Sequence, residues 1–497
     1  MSSQAERATS PPVQALTGVA GVALAIIVSC ELMLMLDGTI MNVALPEIRA
    51  GLGYTPSGLS WVSTAFLLAY GGLMLLGGRI GDIVGRRRTF LVGIAVFTAA
   101  SLAGGLAEGP GWLTAARAAQ GLGAALAAPS TLALLVTNFR GPLQARALSV
   151  YSSVTASAMT LGLVLGGVIT SALSWRWVLL VNVPIGLLVL ALAPRFVAES
   201  PRRPGRLDVG GALASVLGLV AVTFGLVRAG EHGWSDPVAL SSLIAGVVLV
   251  IGFVLIEARA KEPIMPLRLF ADRTRAGAFA ALLLIPMVTM STQFLIIQFL
   301  QEVLGHNALQ AGLAFLPMAA GMLVTAQNAP KLIGRIGGRS TALAGTAILG
   351  VGIGWLVPLA ADTGYLTGVA GPMLLVGAGM GLVVVPFNIA IMSTVDPAES
   401  GVAAGVLQTA LLTGASLGIA ILSTVYASGL GGHGPAAAAP GPASPPSAET
   451  IADSMGTAFT VGLGLVVLAF LVILFTIRSP ATANRANSSV DSASDQA

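Results

Sequence analysis

The chain has 497 residues, of which 55% are hydrophobic and only 9% are charged, and its formal net charge is +4. Soluble domains carry about 25% charged residues, so this composition argues against a soluble enzyme. The small positive charge does not require a nucleic-acid partner, because membrane topology accounts for it. The single cysteine, Cys30, excludes an intrachain disulfide.

Apolar runs of about 20 residues recur from Val19 to Ile477, which is typical of a polytopic membrane protein. The runs are continuous rather than alternating, so membrane-spanning helices are favoured over a β-barrel. We predict an all-α integral membrane fold with fourteen helices, whose boundaries are good to about 2–4 residues. The helices are predicted at 17–45, 57–77, 88–107, 111–136, 147–172, 177–195, 208–229, 238–257, 275–299, 308–330, 341–360, 367–392, 401–426 and 454–477.

These helices form two groups of six with a pair between them. Five units follow from that division: a disordered cytoplasmic N-terminus at 1–16, a six-helix bundle at 17–195, a linker with two inserted helices at 196–274, a second six-helix bundle at 275–477, and a disordered cytoplasmic tail at 478–497. Within the second bundle, the stretch 428–450 is rich in Gly, Ala and Pro, which predicts a flexible outer loop.

The placement of basic residues predicts the orientation in the membrane. With both termini in the cytoplasm, twenty-one of the 25 Lys and Arg residues fall in inner segments, and only Arg49, Arg176 and Arg228 fall in outer loops. Arginine greatly outnumbers lysine and there are 62 glycines, a bias typical of GC-rich bacterial genomes. We therefore expect a multi-pass protein of the bacterial inner membrane, surrounded by lipids and without a nucleic-acid partner.

Two similar segments indicate an internal repeat. GRIGDIVGRR at 78–87 follows the second predicted helix, and PKLIGRIGGR at 330–339 follows the tenth, each as a short basic inner loop. The second copy has Gly334 where the first has Asp82. Parallel repeats of this kind place a substrate site at the interface of the two halves. The alternative is that short, basic, glycine-rich loops recur because of topology alone.

Only two acidic residues, Glu31 and Asp37, lie well within a predicted span. An ionisable group at membrane depth is costly and is by default functional, so both are candidates for proton coupling. They are six residues apart, about 9 Å along a helix and about 120° around it, so we do not expect them to share one proton. The alternative for Asp37 is a helix-anchoring role. Glu31 is a candidate for proton or cationic-substrate binding, or alternatively a neutral, hydrogen-bonded acid.

Arg117 is the only cation well inside a predicted span, and a carboxylate or backbone carbonyl of the first helix is its natural partner. Gln120 lies one turn away and can share that network. The alternative is a purely structural interhelical bond. Glycines of the fourth and fifth helices predict close helix packing or gating. These are Gly121, Gly162, Gly166 and Gly167.

Several motifs, in order along the chain, resemble those of the fourteen-helix drug/proton antiporters of the major facilitator superfamily. They are LDGTIMNVALP at 36–46, GRIGDIVGRRR at 78–88, LTAARAAQGLGAA at 113–125, WRWVLLVNVPIG at 175–186, the inserted pair with Gly233-Trp234, and QEVLGHNALQAGLAFLP at 301–317. The resemblance covers about residues 19–477. One departure is that Leu163 stands where the fifth-helix antiporter motif usually has a proline.

The resemblance implies two six-helix bundles that alternate access and export amphipathic small molecules, such as drugs, antibiotics or natural products, by proton antiport. It implies a proton-coupling role for Asp37 and Arg117. It also implies an inner gate made of Gly78, Asp82, Gly85 and Arg86. No cofactor is expected, because the proton gradient supplies the energy, and the fold usually acts as a monomer.

Weakly polar and thioether side chains are candidates for lining the cargo cavity, because they adapt to varied ligand shapes. They are Met33, Asn42, Gln120, Gln293, Gln298, Met318, Gln327 and Asn388. The alternative is that most of these residues pack helices or face lipid. Two other functions stay open: a transporter on this fold for another cargo, such as a lipid or metabolite, or an importer; and a membrane enzyme or sensor. His232, His306 and His433 fall in predicted loops, so they cannot build an intramembrane zinc cluster.

Overall fold

The computed structural model describes residues 18–140, 142–200, 202, 208–260, 263, 265–392, 395, 400–430 and 446–477. Every regular element in these ranges is helical. The α-helices of the first half are α1 (Val19–Leu52), α2 (Trp61–Val84), α3 (Arg86–Gly105), α4 (Pro110–Asn138), α5 (Pro142–Ala172), α6 (Arg176–Leu180) and α7 (Asn182–Phe196). The inserted pair is α8 (Val209–His232) and α9 (Pro237–Arg259). The second half has α10 (Arg273–Gln298), α11 (Ala308–Leu313), α12 (Leu316–Ile336), α13 (Gly338–Leu356), α14 (Gly371–Met392), α15 (Ser400–Gly429) and α16 (Ala448–Thr476).

Twelve segments of the described chain are long and apolar enough to cross a membrane. The short helices α6 and α11 each continue into the next helix, giving single spans at Arg176–Phe196 and Ala308–Ile336. With α5 and α13, which fall outside that set of twelve, the helices number fourteen as predicted. The prediction of an all-helical, multi-pass membrane fold is therefore confirmed.

Helix boundaries differ from the predicted ones where proline or glycine suggested an end. Helix α1 continues through Pro46 to Leu52 instead of ending at residue 45. The lost backbone hydrogen bond is tolerated in a membrane helix because neighbouring helices support the chain. Likewise, His232 is the last residue of α8 rather than part of a loop.

The predicted flexible loop at 428–450 is shorter than expected, because α15 runs to Gly429 and α16 begins at Ala448. The Ser447 hydroxyl accepts from the Thr450 amide and so caps α16. The predicted termini at 1–16 and 478–497, and His433, lie outside the described residues.

The two repeated segments are helical hairpins broken at single glycines rather than extended loops. Helix α2 ends where Gly85 has φ 116°, and α12 ends where Gly337 has φ 83°. Both values favour glycine because L side chains rarely adopt them. The two breaks occupy the same position in the aligned segments, so the backbone agrees with the internal repeat.

The halves meet through α2 against α15 and through α5 against α11. One apolar core joins the Leu36–Leu52 part of α1 to the helices of the second half. A second core packs the Ala23–Leu34 part of α1 against first-half helices, with only Leu412 of α15 at its edge. The halves therefore share a core at one end of α1 and not at the other.

The inserted pair lies over the seam between the halves. Helices α8 and α9 pack on each other, and α8 also packs on both α2 and α15. The Glu231 carboxylate at the end of α8 accepts from the hydroxyls of Thr55 at 2.6 Å and Ser57 at 2.7 Å. The Leu226 carbonyl accepts from the Thr424 hydroxyl of α15 at 2.9 Å. Helix α8 is thus bonded to both halves.

Candidate functional site

A buried ion pair lies between α1 and α4. Arg117 Nη1 donates to Asp37 Oδ2 at 2.5 Å, and both side chains are almost completely shielded from solvent. Gln120 Nε2 donates to Asp37 Oδ1 at 3.1 Å, and Arg117 Nη1 also donates to Gln120 Oε1 at 2.8 Å. The structure therefore brings together the three residues that the sequence singled out on these two helices.

Arg117 is held from several sides besides the carboxylate. Its Nε donates to the Val62 carbonyl of α2 at 2.9 Å, and its guanidinium carbon lies 4.4 Å from the centre of the Phe66 ring. A cation over an aromatic face is stabilised by the ring quadrupole. The expected carbonyl partner thus comes from the second helix, whereas the carboxylate comes from the first.

Sequence reasoning missed Asn182 as a member of this network. Its Nδ2 donates to Asp37 Oδ1 at 2.9 Å, and the residue is 2% exposed. Asn182 is the first residue of α7, directly after the break that separates α6 from α7. It lies within the segment WRWVLLVNVPIG, where a polar residue between apolar ones was the available signal. The Asp37 carboxylate consequently accepts hydrogen bonds from three side chains.

Glu31 lies in different surroundings on the same helix. It is 3% exposed and hydrogen-bonded to the Tyr151 hydroxyl of α5. Its Oε2 has no hydrogen-bond partner within the described part of the chain. The nearby thiol of Cys30 contacts the Thr131 hydroxyl of α4 at 3.7 Å. No cation forms an ion pair with Glu31 among the described residues, so only neutral groups bond it.

At the break after α2, Arg86 Nη2 donates to Asp82 Oδ1 at 2.6 Å. Two residues of the predicted inner gate are therefore joined by an ion pair. Helices α2 and α4 approach most closely at Gly77, which lies against the backbone of Ala125. A Cβ at Gly78 would make only ordinary contact with Pro129, at 3.6 Å.

Sequence reasoning also missed Glu199, which follows the C-terminal end of α7. Its carboxylate bonds the backbone amides at the N-terminus of α3. Its Oε1 accepts from the Arg87 amide at 2.8 Å and its Oε2 from the Arg88 amide at 3.3 Å. A carboxylate is stabilised at a helix N-terminus by unpaired amides and the helix dipole. A Cβ at Gly85 would lie 2.9 Å from this carboxyl group, so only glycine fits the break.

The predicted packing glycines all lie at tight helix contacts. A Cβ at Gly121 would lie 3.0 Å from the Tyr70 amide nitrogen of α2, and one at Gly166 would lie 2.9 Å from the Ile40 carbonyl of α1. Gly162 faces Thr39 of α1, and a Cβ at Gly167 would lie 2.6 Å from the Leu309 Cα of α11. Helix α5 continues through Leu163 without a proline, so these glycines permit its close contacts with α1 and the second half.

Polar bonds join the halves at the shared-core end of α1. Arg49 Nη1 donates to Glu302 Oε1 at 2.8 Å, and Gln301 Nε2 donates to the Val43 carbonyl at 2.9 Å. Both partners come from the π-helical turn Phe299–Val303 that follows α10. These bonds and the apolar core together close this end of the molecule.

The candidate cavity residues do not form one group. Met33 borders a cavity of about 310 Å³ between α1 and α7, lined almost entirely by apolar side chains. Asn42 accepts from Ser63 at 3.4 Å, and Gln120 belongs to the Asp37 network. Met318 is buried where α12 packs on α14. Gln293, Gln298, Gln327 and Asn388 differ in exposure and in hydrogen bonding.

Gln293 of α10 is 1% exposed, and both polar atoms of its amide lack a hydrogen-bond partner among the described residues. Gln298 is also buried, and its Nε2 donates to the Phe294 carbonyl at 3.1 Å. Asn388 is half-buried and donates to the Val384 carbonyl at 2.9 Å, whereas Gln327 is exposed. Gln293 is therefore the member of this set best able to bond a guest molecule.

Comparison with known proteins agrees with this fold. The family model of the Major Facilitator Superfamily matches residues 27–419. The cephamycin export protein of Amycolatopsis lactamdurans is 40% identical over 463 residues, which is 92% of each chain. The puromycin resistance protein of Streptomyces alboniger is 37% identical over 478 residues, covering 94% of this chain and 93% of that protein.

Among solved structures, a peptide transporter POT in complex with sulfate has a TM-score of 0.65 and 14% identity, over 92% of this chain and 95% of that chain. At this identity the likeness concerns the fold alone. The predicted family is confirmed by the family model and by the two export and resistance proteins. The chain is a multi-pass membrane protein that belongs to the major facilitator superfamily.

Proposed function

We propose that this protein exports amphipathic small molecules, antibiotics among them, in exchange for protons. The observation that carries the proposal is the buried pair of Asp37, in the middle of α1, and Arg117, in the first third of α4. Relatives named for cephamycin export and puromycin resistance, similar over nearly the whole chain, support the class of cargo.

The proton step uses the Asp37 carboxylate. Its three hydrogen-bond donors are the Arg117 guanidinium and the amides of Gln120 and Asn182, and hydrogen bonds of this kind stabilise a carboxylate. A proton bound to Asp37 neutralises it and releases Arg117 from the ion pair. The buried guanidinium then lacks its counterion, which favours rearrangement of α4 against α1. Proton binding and the ion pair are therefore mutually exclusive.

Glu31 gives the cycle a second, neutral acid. In this proposal Glu31 carries a proton before cargo binds, because its buried carboxyl group has no cationic partner in the described part of the chain. A cationic cargo can take the place of that proton, because an ammonium group would pair with the carboxylate left behind. In this proposal Glu31 exchanges its proton for a cationic cargo and keeps its proton when the cargo is anionic.

Cargo contacts in the second half are neutral hydrogen bonds. The Gln293 amide offers both a donor and an acceptor without protein partners in the described chain. A buried polar group without a partner is costly, and a bound molecule that pairs with it removes that cost. Carbonyl, hydroxyl and amide groups on the cargo are the matching chemistry.

Alternating access follows from the uneven contact between the halves. The shared core and the Arg49–Glu302 bond close one end of α1, which the basic-residue count assigns to the outside. This orientation, with both termini in the cytoplasm, makes the conformation inward-facing. One charge moving through 100 mV supplies about 2.3 kcal/mol, which corresponds to roughly fifty-fold accumulation.

Transport by purified protein in liposomes tests the proposal. A pH-sensitive dye inside the vesicles reports proton movement after puromycin or a cephamycin is added across a pH gradient. We expect drug-dependent proton flux that disappears in Asp37→Asn and persists in Asp362→Asn, a matched change at an exposed loop carboxylate. Drug movement that ignores the pH gradient would disprove antiport, and no movement of either drug would disprove this class of cargo.

A further inference from the structure

We propose that Asn182 is a positioning residue that sets the pH at which Asp37 exchanges its proton. The inference rests on the proposed antiport and adds a fourth member to its proton site. It is carried by the 2.9 Å hydrogen bond from Asn182 Nδ2 to Asp37 Oδ1.

The two oxygens of Asp37 are bonded differently. Oδ2 accepts from the Arg117 cation, whereas Oδ1 accepts from two neutral amides, Gln120 and Asn182. Gln120 is shared, because it also bonds Arg117 and donates to the Ser101 hydroxyl at 2.7 Å. In the part of the chain that the structure describes, the Asn182 amide bonds Asp37 alone. Its effect is therefore directed at the carboxyl group.

Asn182 does not depend on Asp37 for its place. The preceding short helix is fixed by Arg176, whose Nη1 donates to the carbonyls of Gly105 at 3.1 Å and Ala107 at 2.6 Å. Helix α7 then packs tightly on α3, where a Cβ at Gly186 would lie 3.0 Å from the Thr98 Cβ. The scaffold holds the amide in position, so loss of its bond to Asp37 leaves the helices packed.

An amide can hydrogen-bond both the ionised and the protonated carboxyl group as a donor or as an acceptor, whereas a guanidinium can only donate. Asn182 donates to the ionised carboxylate through its nitrogen, and after a flip it can accept from the protonated acid through its oxygen. Arg117 has donors only, so it cannot accept a hydrogen bond from the protonated acid, and its charge favours the ionised state. Asn182 consequently keeps Oδ1 bonded in both states, while its donor favours the ionised one.

Other titratable groups lie on the helices packed against α1. Arg117 is the charged side chain in contact with Asp37, and Tyr54 lies beyond that guanidinium. Glu31 lies further along α1, near Tyr70 of α2 and Tyr151 of α5. The remaining groups on these helices are Arg79 and Asp82 on α2, Arg146 on α5, Arg176 on α6, Arg195 on α7, and Arg273 and Arg275 on α10.

The pH dependence of puromycin binding to the purified full-length protein tests the role. Asn182→Leu removes the donor, so the pH of half-maximal binding should rise by about one unit. Asn182→Asp places a second carboxyl beside Asp37 and should raise it further. Asn328→Leu, at an exposed asparagine that bonds only its own helix, is the matched control and should leave the pH midpoint unchanged.

An unchanged pH midpoint in both Asn182 variants, with weaker binding at every pH, would overturn the inference and leave Asn182 a packing residue. If Asn182→Leu does not fold, the isosteric Asn182→Asp decides alone. In the Asp37→Asn background, Asn182→Leu should cause no further shift, and a persisting shift would also overturn it. Binding by the unmodified protein that is independent of pH would instead reject the antiport proposal itself.

Discussion

Asp37 and Glu31 are carboxyl groups on one helix, six residues apart, in opposite surroundings. Asp37 accepts from a guanidinium and two amides contributed by α4 and α7. Glu31 is bonded to the Tyr151 hydroxyl and keeps one oxygen without a partner in the described chain. Both are buried, so burial alone does not distinguish them. The neighbouring helices therefore give the two acids different partners, a cation and two amides for Asp37 and a neutral hydroxyl for Glu31.

This contrast separates two tasks that a single carboxyl group could not perform together. In the proposed cycle, the paired acid links a proton to the arrangement of α1 and α4, whatever the cargo. The unpaired acid is suited to exchange its proton for a cationic group. A transporter with both can accept cargo of different charge while keeping one obligatory proton step.

The largest effect should come from giving Asp37 the neutral surroundings of Glu31. Arg117→Met keeps an unbranched apolar stem and removes the cation, leaving a buried carboxylate without its partner. We expect a loss of about 3–5 kcal/mol in the free energy of unfolding and no proton release near pH 7 on binding an anionic cephamycin. Thermal unfolding in detergent measures the first quantity and a pH indicator the second.

The double variant Arg117→Met with Asp37→Asn provides the control. It removes both charges, so most of the lost stability should return while proton release stays absent. Equal stability of the single and double variants would contradict the ionised pairing of Asp37.

A smaller effect is expected when Glu31 is replaced by a side chain that cannot ionise. Glu31→Gln keeps the shape and a hydrogen-bonding partner for Tyr151, so stability should change by no more than about 1 kcal/mol. Proton release on binding cationic puromycin should fall by about half, because one of two titrating groups is lost. Release on binding an anionic cephamycin should be unchanged. Equal losses for both cargoes would remove the distinction between the two acids.

Removing the partner of Glu31 should have a weaker effect than removing Glu31. Tyr151→Phe deletes the hydroxyl group and leaves the ring, at a cost of about 0.5–1.5 kcal/mol in the free energy of unfolding. Puromycin affinity should change by less than in Glu31→Gln, as measured by equilibrium binding. A larger loss than that of Glu31→Gln would show that Tyr151 contacts the cargo directly.

The smallest effect is expected at a partly exposed counterpart of the buried pair. Arg228, near the end of α8, donates through Nε and Nη2, both at 3.1 Å, to Asp236 in the turn between α8 and α9. The hydrogen bond from Arg228 lowers the pKa of Asp236 to about 2, so its charge persists from neutral pH until the pH falls through that value. Asp236→Asn retains an N-cap for α9, so efflux and its pH profile should be unchanged between pH 5 and 8. A shifted profile would show that this ion pair also contributes to coupling.

The sequence alone predicted the helical membrane fold because apolar length needs no tertiary information. Asp37, Glu31 and Arg117 could be selected because charge within an apolar run is conspicuous. Asn182 and Glu199 could not, since a neutral amide and a carboxylate near a helix end gain their meaning from partners more than 100 residues away. The ends of α1 and α2 were misjudged because proline and glycine are tolerated where neighbouring helices support them.

The most direct measurement is the number of protons released when cargo binds to the purified protein in detergent at constant pH. For an anionic cephamycin, where Asp37 alone should titrate, we predict release by the unmodified protein and by Glu31→Gln, and none by Asp37→Asn. Release that persists in Asp37→Asn, in a variant that still binds the drug, would contradict the assignment of the coupling proton to the acid paired with Arg117.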